Sequence, residues 1–285
     1  AFLSDGPVAA LPLYEAALRS ESDDPDRNAE HLTRFSWILK TVPRPVNAWT
    51  IDSETYSSDV SPDGQFVAAS GRNGKIHVWN RVLNEPALPP IETDLGTISV
   101  VEFTPNSKKL IIGVSRTLKI IDIAANEETI ISDDLPSPIR QVALFPWAKH
   151  IVVGMRDGSV MRYATTGDKS FELITKHAEL ITSLEIAPKA PTLLATSEDG
   201  TASLIDLRDN RVIGTLEHDD GITWGGFSPD GSLVATVSKD GLARIWDATT
   251  GEQDGAPLLH GDRIRCAAFS GDGTRLATGG WDSRA

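Results

Sequence analysis

A motif that recurs about every 42 residues is the feature that most constrains the fold of this chain. The sequence "ARIWD" contains Trp246, and apolar or aromatic residues occupy the matching positions at Ile205, Tyr163, Ile121 and Trp79, in steps of 41, 42, 42 and 42 residues. So regular a spacing over the length of the chain does not arise by chance. It indicates an array of structural repeats.

Each repeat has the pattern of short β-strands separated by turns. In the clearest copy, "ITWGGF" (222–227) leads into the turn "SPDG", "LVATVS" (233–238) leads into "KDG", and "LARIWD" (242–247) follows. A looser fourth run, such as "VIGTLEH" (212–218), precedes the next copy. Runs this short, bounded by Gly and Pro, argue against helices. Four strands in a period near 42 residues are typical of one propeller blade.

The repeats resemble WD40 repeats, whose blades carry a His before the first strand, an Asp in the turn after the second and a Trp in the third. Three His–Asp pairs in this chain share a spacing of 22 residues: His177–Asp199, His218–Asp240 and His260–Asp282. The copy with His218 and Asp240 also has Trp246, and Ser238 is predicted as a fourth member. The resemblance implies that these residues form a structural hydrogen-bond network, since buried polar groups need partners.

The first three copies depart from that pattern. Asn73 and Trp79 occur in the first copy without a His, while Ser115 stands at the Asp position of the second and Leu135 at the His position of the third. The resemblance nevertheless extends from Thr55 to the end of the chain.

We therefore predict an all-β fold, a WD40 β-propeller of about five and a half blades that follows an N-terminal helical hairpin. Because a ring of seven blades is the common form in the family, the sequence is expected to be truncated from seven or more. The predicted helical segment is 1–44 and the propeller 45–285. The blades are predicted near 55–91, 98–132, 139–175, 181–216, 222–259 and 264–285, the last incomplete.

The N-terminal segment has a helical pattern with two candidate helices. "PVAALPLYEAALRS" is rich in Ala and Leu, and Asp24 with Pro25 forms a typical helix start. The segment resembles the region that precedes the propeller in bacterial WD40-containing serine/threonine protein kinases. We find no Gly-rich kinase loop, HRD or DFG in the chain. A helical cap that packs on the propeller edge is the alternative.

The charge, the composition and the lack of certain motifs argue against several classes of partner and cofactor. A formal net charge of −13 argues against nucleic acid as the partner, and no apolar run approaches the roughly 20 residues that span a bilayer. The single cysteine, Cys266, excludes an internal disulfide and is predicted to be a small core residue. We find no HExxH and no phosphate-binding GxxxxGK[ST] motif, so no metal or cofactor is predicted.

Two positions of the repeat should line one mouth of the propeller channel. The second residue of the opening strand is Tyr56, Ser99, Arg140, Thr182, Thr223 or Arg265, and the residue before the turn Asp is Arg72, Val114, Arg156, Glu198, Lys239 or Trp281. Five of these twelve residues are basic and one is acidic. Because Arg and Lys attract carboxylate and phosphate groups, we predict partner binding at Arg72, Arg140, Arg156, Lys239 and Arg265, with Tyr56 and Trp281 as aromatic contacts.

These observations favour a non-catalytic scaffold that binds protein or peptide partners, among them acidic or phosphorylated segments. The alternative is a regulatory or sensor region at the C-terminal end of a bacterial multidomain serine/threonine kinase. A propeller enzyme would need acids or metal ligands around the channel, whereas the mouth positions are mostly basic or neutral. We therefore expect no enzymatic activity, no nucleic-acid binding and no membrane contact from this chain.

Overall fold

The computed structural model describes residues 49–93, 98–145, 150–165 and 171–282, which contain β-strands and no helix. None of the described residues therefore belongs to a helix that could cross a bilayer. A boundary between Thr50 and Ile51 divides the chain, and the unit Ile51–Ala285 contains all the strands described below. The predicted helical segment, 1–44, lies outside the described residues.

The strands fall into consecutive groups, one for each predicted blade. Blade one contains β1 (Thr55–Val60), β2 (Phe66–Gly71), β3 (Lys75–Asn80), β4 (Glu85–Pro86) and β5 (Ile91–Glu92). Blade two contains β6 (Ile98–Phe103), β7 (Lys109–Val114), β8 (Thr117–Asp122) and β9 (Glu127–Ser132), and blade three contains β10 (Ile139–Leu144), β11 (His150–Met155), β12 (Ser159–Ala164) and β13 (Phe171–Lys176).

The remaining groups follow the same order. Blade four contains β14 (Ile181–Ile186), β15 (Thr192–Ser197), β16 (Thr201–Asp206) and β17 (Arg211–Glu217). Blade five contains β18 (Ile222–Phe227), β19 (Leu233–Ser238), β20 (Leu242–Asp247) and β21 (Leu258–Leu259), and blade six contains β22 (Ile264–Phe269) and β23 (Leu276–Gly280). The all-β prediction and the number of blades agree with this arrangement.

The sheets are antiparallel, and in blades two to six neighbours in sequence are neighbours in the sheet. The first strands of consecutive blades contact one another, from β1 through β6, β10, β14 and β18 to β22. These strands therefore lie on the inner side of the arc, and the fourth strands lie on its outer side. This is the arrangement of a propeller, in which the inner strands surround a central channel.

The hydrophobic core lies between the blades. One cluster joins Ile111 and Leu118 of blade two to Ile139 and Val153 of blade three, and similar clusters join the other neighbouring blades. The second strand of a blade is covered on both faces by the neighbouring blades, which explains its continuous apolar sequence. In β19, for example, Val234 and Val237 are fully buried. Stacking of blades, rather than any single sheet, buries the apolar surface.

The outer strands are less regular than the inner ones. The fourth run of blade one is split into β4 and β5, which both pair with β3, and Pro86 lies at the interruption. Proline cannot donate a hydrogen bond to the ladder, so it is tolerated on an outer strand. Cys266 in β22 is exposed, contrary to the prediction of a core position. Blade six has two described strands, and its β22 is correspondingly exposed at this residue.

The turn between the second and third strands uses glycine where the backbone is left-handed. Gly200 and Gly241 have φ angles of 85° and 80° in their Asp-Gly turns. A side chain there would be strained, because L-residues rarely adopt this region. Blade two has a turn that is shorter by one residue, and Ser115 itself adopts φ 50° in it.

Candidate partner-binding site at the channel mouth

Blade five contains a continuous chain of side-chain hydrogen bonds. His218 Nδ1 lies 2.9 Å from Asp240 Oδ2, and His218 Nε2 lies 2.8 Å from Thr236 Oγ1. Trp246 Nε1 donates to the same Thr236 hydroxyl at 2.7 Å. With His218 neutral and protonated on Nδ1, each donor in the chain has an acceptor. The side chain of His218 is fully buried, so it belongs to the interior of the blade.

The residue that joins His218 to Trp246 is Thr236, whereas the sequence analysis named Ser238. Ser238 Oγ instead donates to the backbone carbonyl of Asp220 at 2.7 Å and accepts from the Asp240 amide at 3.1 Å. The two positions lie in β19, two residues apart and on the same face. A Thr four residues before the turn Asp is the signal that identifies the bridging residue.

The other two His–Asp pairs vary this arrangement. In blade six, His260 Nε2 lies 2.7 Å from Thr278 Oγ1, and His260 Nδ1 lies 3.2 Å from Asp282 Oδ2. In blade four, His177 Nδ1 lies 3.5 Å from Asp199 Oδ2 and 2.9 Å from Thr201 Oγ1. Burial lowers the pKa of both His177 and His218, although the neighbouring carboxylates oppose that effect. Buried, neutral and hydrogen-bonded histidines have the character of structural residues.

A β-bulge occurs at the same point of the first strand in all six blades. The pairing between the first and second strands skips one residue, which is Tyr56, Ser99, Arg140, Thr182, Thr223 or Arg265. A bulge redirects the side chain of the extra residue and ends regular pairing. The first set of positions predicted for the mouth is therefore the set of bulged residues.

Polar side chains of the first strands bind the backbone of the next blade. Ser57 Oγ accepts from the Val101 amide at 3.1 Å, and Asp59 Oδ2 accepts from the Phe103 amide at 2.7 Å. Thr223 Oγ1 donates to the Ile264 carbonyl at 2.7 Å. These bonds satisfy backbone groups on the channel side of the first strand, which has no neighbouring strand in its own sheet there.

Three arginines from blades one and three line one cavity at the mouth. We call it the basic cleft; it has a volume of about 450 Å³ and is lined by Glu54, Thr55, Tyr56, Arg72, Ser99, Pro138, Ile139, Arg140 and Arg156. Arg72 pairs with Glu54 at 3.2 Å, and both side chains are largely exposed. Among the described residues, Arg140 and Arg156 form no ion pair. Three cations and one carboxylate give the cleft a net charge of about +2.

The remaining residues predicted for the mouth do not line this cleft. Lys239 pairs with Glu198 at 3.0 Å, so its charge is compensated within blades four and five. Arg265 and Trp281 belong to blade six, where Trp281 is exposed. Val114, assigned to the mouth in blade two, is fully buried as the last residue of β7; Ser115 takes the turn position there.

The first strands carry acidic residues toward the end that lies away from the bulge. Sequence reasoning missed this feature. Asp59 and Glu102 line a cavity of about 520 Å³ together with Ser57, Gln141 and residues of β6. Burial raises the pKa of Glu102 to about 8, and the nearby Asp59 adds to the shift. Glu185 has its pKa raised to about 7 by burial. Each of these carboxyls belongs to the fifth residue of its strand, whereas the bulged residue is the second.

Groups of His, Cys, Asp and Glu that could ligate a metal ion were sought in the described residues, and none with three or more members occurs there. The His–Asp pairs are two-membered, and their histidines bond Thr or Ser hydroxyls inside the blades.

Consecutive antiparallel four-stranded sheets that meet along their first strands define a protein of the β-propeller class. Within that class, the chain carries WD40 repeats: the family model "WD domain, G-beta repeat" matches residues 49–80, 210–247 and 258–285. The matched segments include Trp79 and Trp246. The intervening blades have Ile121, Tyr163 or Ile205 at the Trp position.

Several curated proteins are similar over much of this chain. Eukaryotic translation initiation factor 3 subunit I of Dictyostelium discoideum is 25% identical over 260 residues, covering 82% of this chain and 78% of that protein. The guanine nucleotide-binding protein subunit beta of Arabidopsis thaliana is 25% identical over 247 residues, 79% of this chain and 65% of that protein. Protein tipD of Dictyostelium discoideum is 28% identical over 204 residues, 69% of this chain, which spans about a third (33%) of tipD. Together with the repeats, these relatives support a WD40-repeat protein.

Proposed function

We propose that this chain is a non-catalytic scaffold that binds protein partners through acidic segments at the basic cleft. The observation that carries the proposal is the placement of Arg72, Arg140 and Arg156 around one cavity of about 450 Å³. These residues are far apart in sequence, and only the stacking of blades brings them together. Their grouping in a chain of net charge −13 gives the cleft a local sign opposite to that of the molecule.

The chemistry of arginine favours this assignment. A guanidinium presents a planar set of donors that matches carboxylate or phosphate oxygens two at a time. Tyr56, which is 52% exposed, adds an aromatic surface beside the cations, and Arg and Tyr are frequent anchors of protein interfaces. Two of the relatives are named as subunits, which supports a role in assembly with other proteins.

The overall charge also bears on the class of partner. A nucleic acid would carry its phosphates past a surface that is acidic outside the cleft, which opposes binding. A peptide segment can place a few negative charges in the cleft while its flanks avoid the acidic surface. We therefore favour a protein partner over nucleic acid or a membrane surface.

The test is a binding titration of a degenerate Asp- and Glu-rich peptide pool, measured by fluorescence polarisation. Arg140→Gln should weaken binding about tenfold or more, because a charge-assisted hydrogen bond contributes about 1.5–3 kcal/mol. The matched control is Arg265→Gln, the same change at the equivalent bulge of blade six. Equal affinities for the wild type and Arg140→Gln would contradict the proposal, as would equal losses in the two variants.

The kinase-associated alternative stays a prediction. It rests on the likeness of the N-terminal segment, residues 1–44, which lies outside the described residues. Reading the open reading frame upstream of this chain tests it: a Gly-rich loop with HRD and DFG motifs would support the alternative.

A further inference from the structure

The charge of the basic cleft, together with its size, restricts what binds there. Arg72, Arg140 and Arg156 contribute three positive charges, and the carboxylate of Glu54 offsets one of them. A single phosphate monoester carries about −1.5 to −2 charges at pH 7. One such group therefore neutralises the cleft, whereas one carboxylate neutralises half of it. A volume of about 450 Å³ has room for one side chain and its immediate flanks.

Arg140 is the residue best placed to hold such a group. Its Nε atom is buried and has no hydrogen-bond partner among the described residues. A buried donor without a partner costs stability, so an arginine at this bulge is not explained by folding alone. The equivalent bulges in blades two, four and five carry Ser99, Thr182 and Thr223, smaller residues that fit the same backbone. The bulge therefore does not require an arginine at this position, although blade six also carries one, Arg265.

We propose that the basic cleft recognises one phosphorylated side chain of a partner protein, as a dianion, in preference to a run of carboxylates. The inference rests on the proposed function, since it names the anchoring group of the same site. Arg140 and Arg156, which form no ion pair in the described part of the chain, hold the phosphate. Arg72 joins them by exchanging the Glu54 carboxylate for a phosphate oxygen. Three guanidinium groups match the three oxygens of a phosphate better than the two of a carboxylate.

The experiment compares degenerate peptide pools that differ only at a fixed central residue. The residue is phosphoserine, serine O-sulfate, Glu or Ser, and affinities for the full chain are measured by fluorescence polarisation at one salt concentration. Serine O-sulfate has nearly the shape of phosphoserine but a single charge, so it separates charge from shape. We expect the phosphoserine pool to bind about tenfold or more tighter than the sulfate and Glu pools. The Ser pool should bind weakest.

Arg140→Lys keeps the charge but removes the planar guanidinium, and Arg265→Lys is its matched control. We expect Arg140→Lys to reduce the preference for phosphoserine over Glu, and Arg265→Lys to leave it unchanged. Thermal melts of both variants should match the wild type, which shows that the fold is intact. If Arg140→Lys lowers the melting temperature, Arg156→Lys replaces it in the comparison.

The outcomes separate this inference from the proposed function. Equal affinity for phosphoserine and Glu pools, with both lost in Arg140→Gln, overturns the phosphate preference and leaves the acidic-segment scaffold standing. Binding of no pool, or binding unaffected by Arg140→Gln, overturns both. Tighter binding of a single-stranded oligonucleotide than of the phosphoserine pool, sensitive to Arg140→Gln, also overturns the assignment to a phosphorylated protein.

Discussion

Blades four to six and blades one to three use the same backbone for different purposes. In blades four to six, a His before the first strand meets an Asp in the turn, and Thr or Ser completes the hydrogen bonds. In blades one to three, those positions include Asn73, Ser115 and Leu135, and the interior is held by apolar packing. Blades four to six, the regular half, thus identify the fold. Blades one to three, the irregular half, carry the basic cleft.

The mouth shows the same division in its charges. On the side of blades one and three, Arg72 pairs with Glu54, but Arg140 and Arg156 form no ion pair among the described residues. On the side of blades four and five, Lys239 is paired with Glu198. A count of basic residues in the sequence does not distinguish the paired Lys239 from Arg140 and Arg156. We therefore expect recognition to depend on which cations are left without a neighbouring carboxylate, rather than on how many cations there are.

Replacing Trp246 should have the largest effect on stability and tests the regular half. Trp246 is 7% exposed and bonds Thr236, so Trp246→Ala should cost about 3–5 kcal/mol in denaturant unfolding. Trp246→Phe, which keeps most of the apolar surface but removes the N–H donor, should cost about 0.5–1.5 kcal/mol. A loss below about 1 kcal/mol for Trp246→Ala would show that the blade does not depend on this side chain.

Glu102 in blade two provides a pH-dependent contrast with blade five, where Gly226 occupies the equivalent position. Because the pKa of Glu102 is raised from 4.5 to about 8, the folded protein keeps a proton that the unfolded chain loses. Stability should therefore fall as pH rises from about 4.5 to 8 and level off above that. Glu102→Gln should remove roughly 2–5 kcal/mol of this loss, since each pKa unit corresponds to about 1.4 kcal/mol. Urea unfolding of both forms at pH 5 and pH 8 measures the difference; parallel pH profiles would contradict it.

His218→Leu makes blade five resemble blade three, which has Leu135 at this position. The change leaves Asp240 and Thr236 without their buried partner and should cost about 1–3 kcal/mol at pH 7.5. Burial lowers the pKa of His218 below 6.5, so its contribution is present above pH 6.5 and lost as pH falls through the folded-state pKa. The difference in unfolding free energy between wild type and variant should therefore shrink at low pH. A constant difference from pH 7.5 to 5 would argue against a buried neutral histidine.

Ser115→Gly tests the short turn of blade two and should have the smallest effect. Ser115 adopts φ 50°, a region that glycine occupies without a steric cost. The variant should be more stable by about 0.5–1 kcal/mol. The matched change Ser137→Gly, at a residue outside that region, should not be stabilising. A destabilised Ser115→Gly would mean that the serine side chain contributes contacts that outweigh the strain.

The repeat period and strand pattern were sufficient to predict the blades, because each strand is short, apolar and bounded by turn residues. They also placed Tyr56, Arg72, Arg140 and Arg156 at one mouth, since equivalent repeat positions lie at equivalent points of the arc. Ion pairing could not be predicted in this way. Glu198 meets Lys239 only because neighbouring blades bring their turns together. Partner binding at Lys239 stays a prediction, whereas the mouth position of Val114 is wrong, because the turn of blade two is shorter by one residue and Val114 is buried.

The acidic side of the channel and the bridging threonine were missed for a related reason. Glu102 lies between Val101 and Phe103, and Asp59 lies between Ser58 and Val60. The sequence alone does not say which face of these strands is turned toward the channel. Thr236 and Ser238 occur on one face of β19, and either could reach His218 in an idealised strand. Three-dimensional packing decides between them.

We propose that anionic partners bind at the basic cleft and not at the whole channel mouth. The most direct test records the side-chain Nε resonances of the arginines by NMR while the phosphoserine peptide pool is added. We expect the resonances of Arg72, Arg140 and Arg156 to shift in step with binding and that of Arg265 in blade six to stay unchanged. Shifts of Arg265 with no change at Arg140 would contradict it.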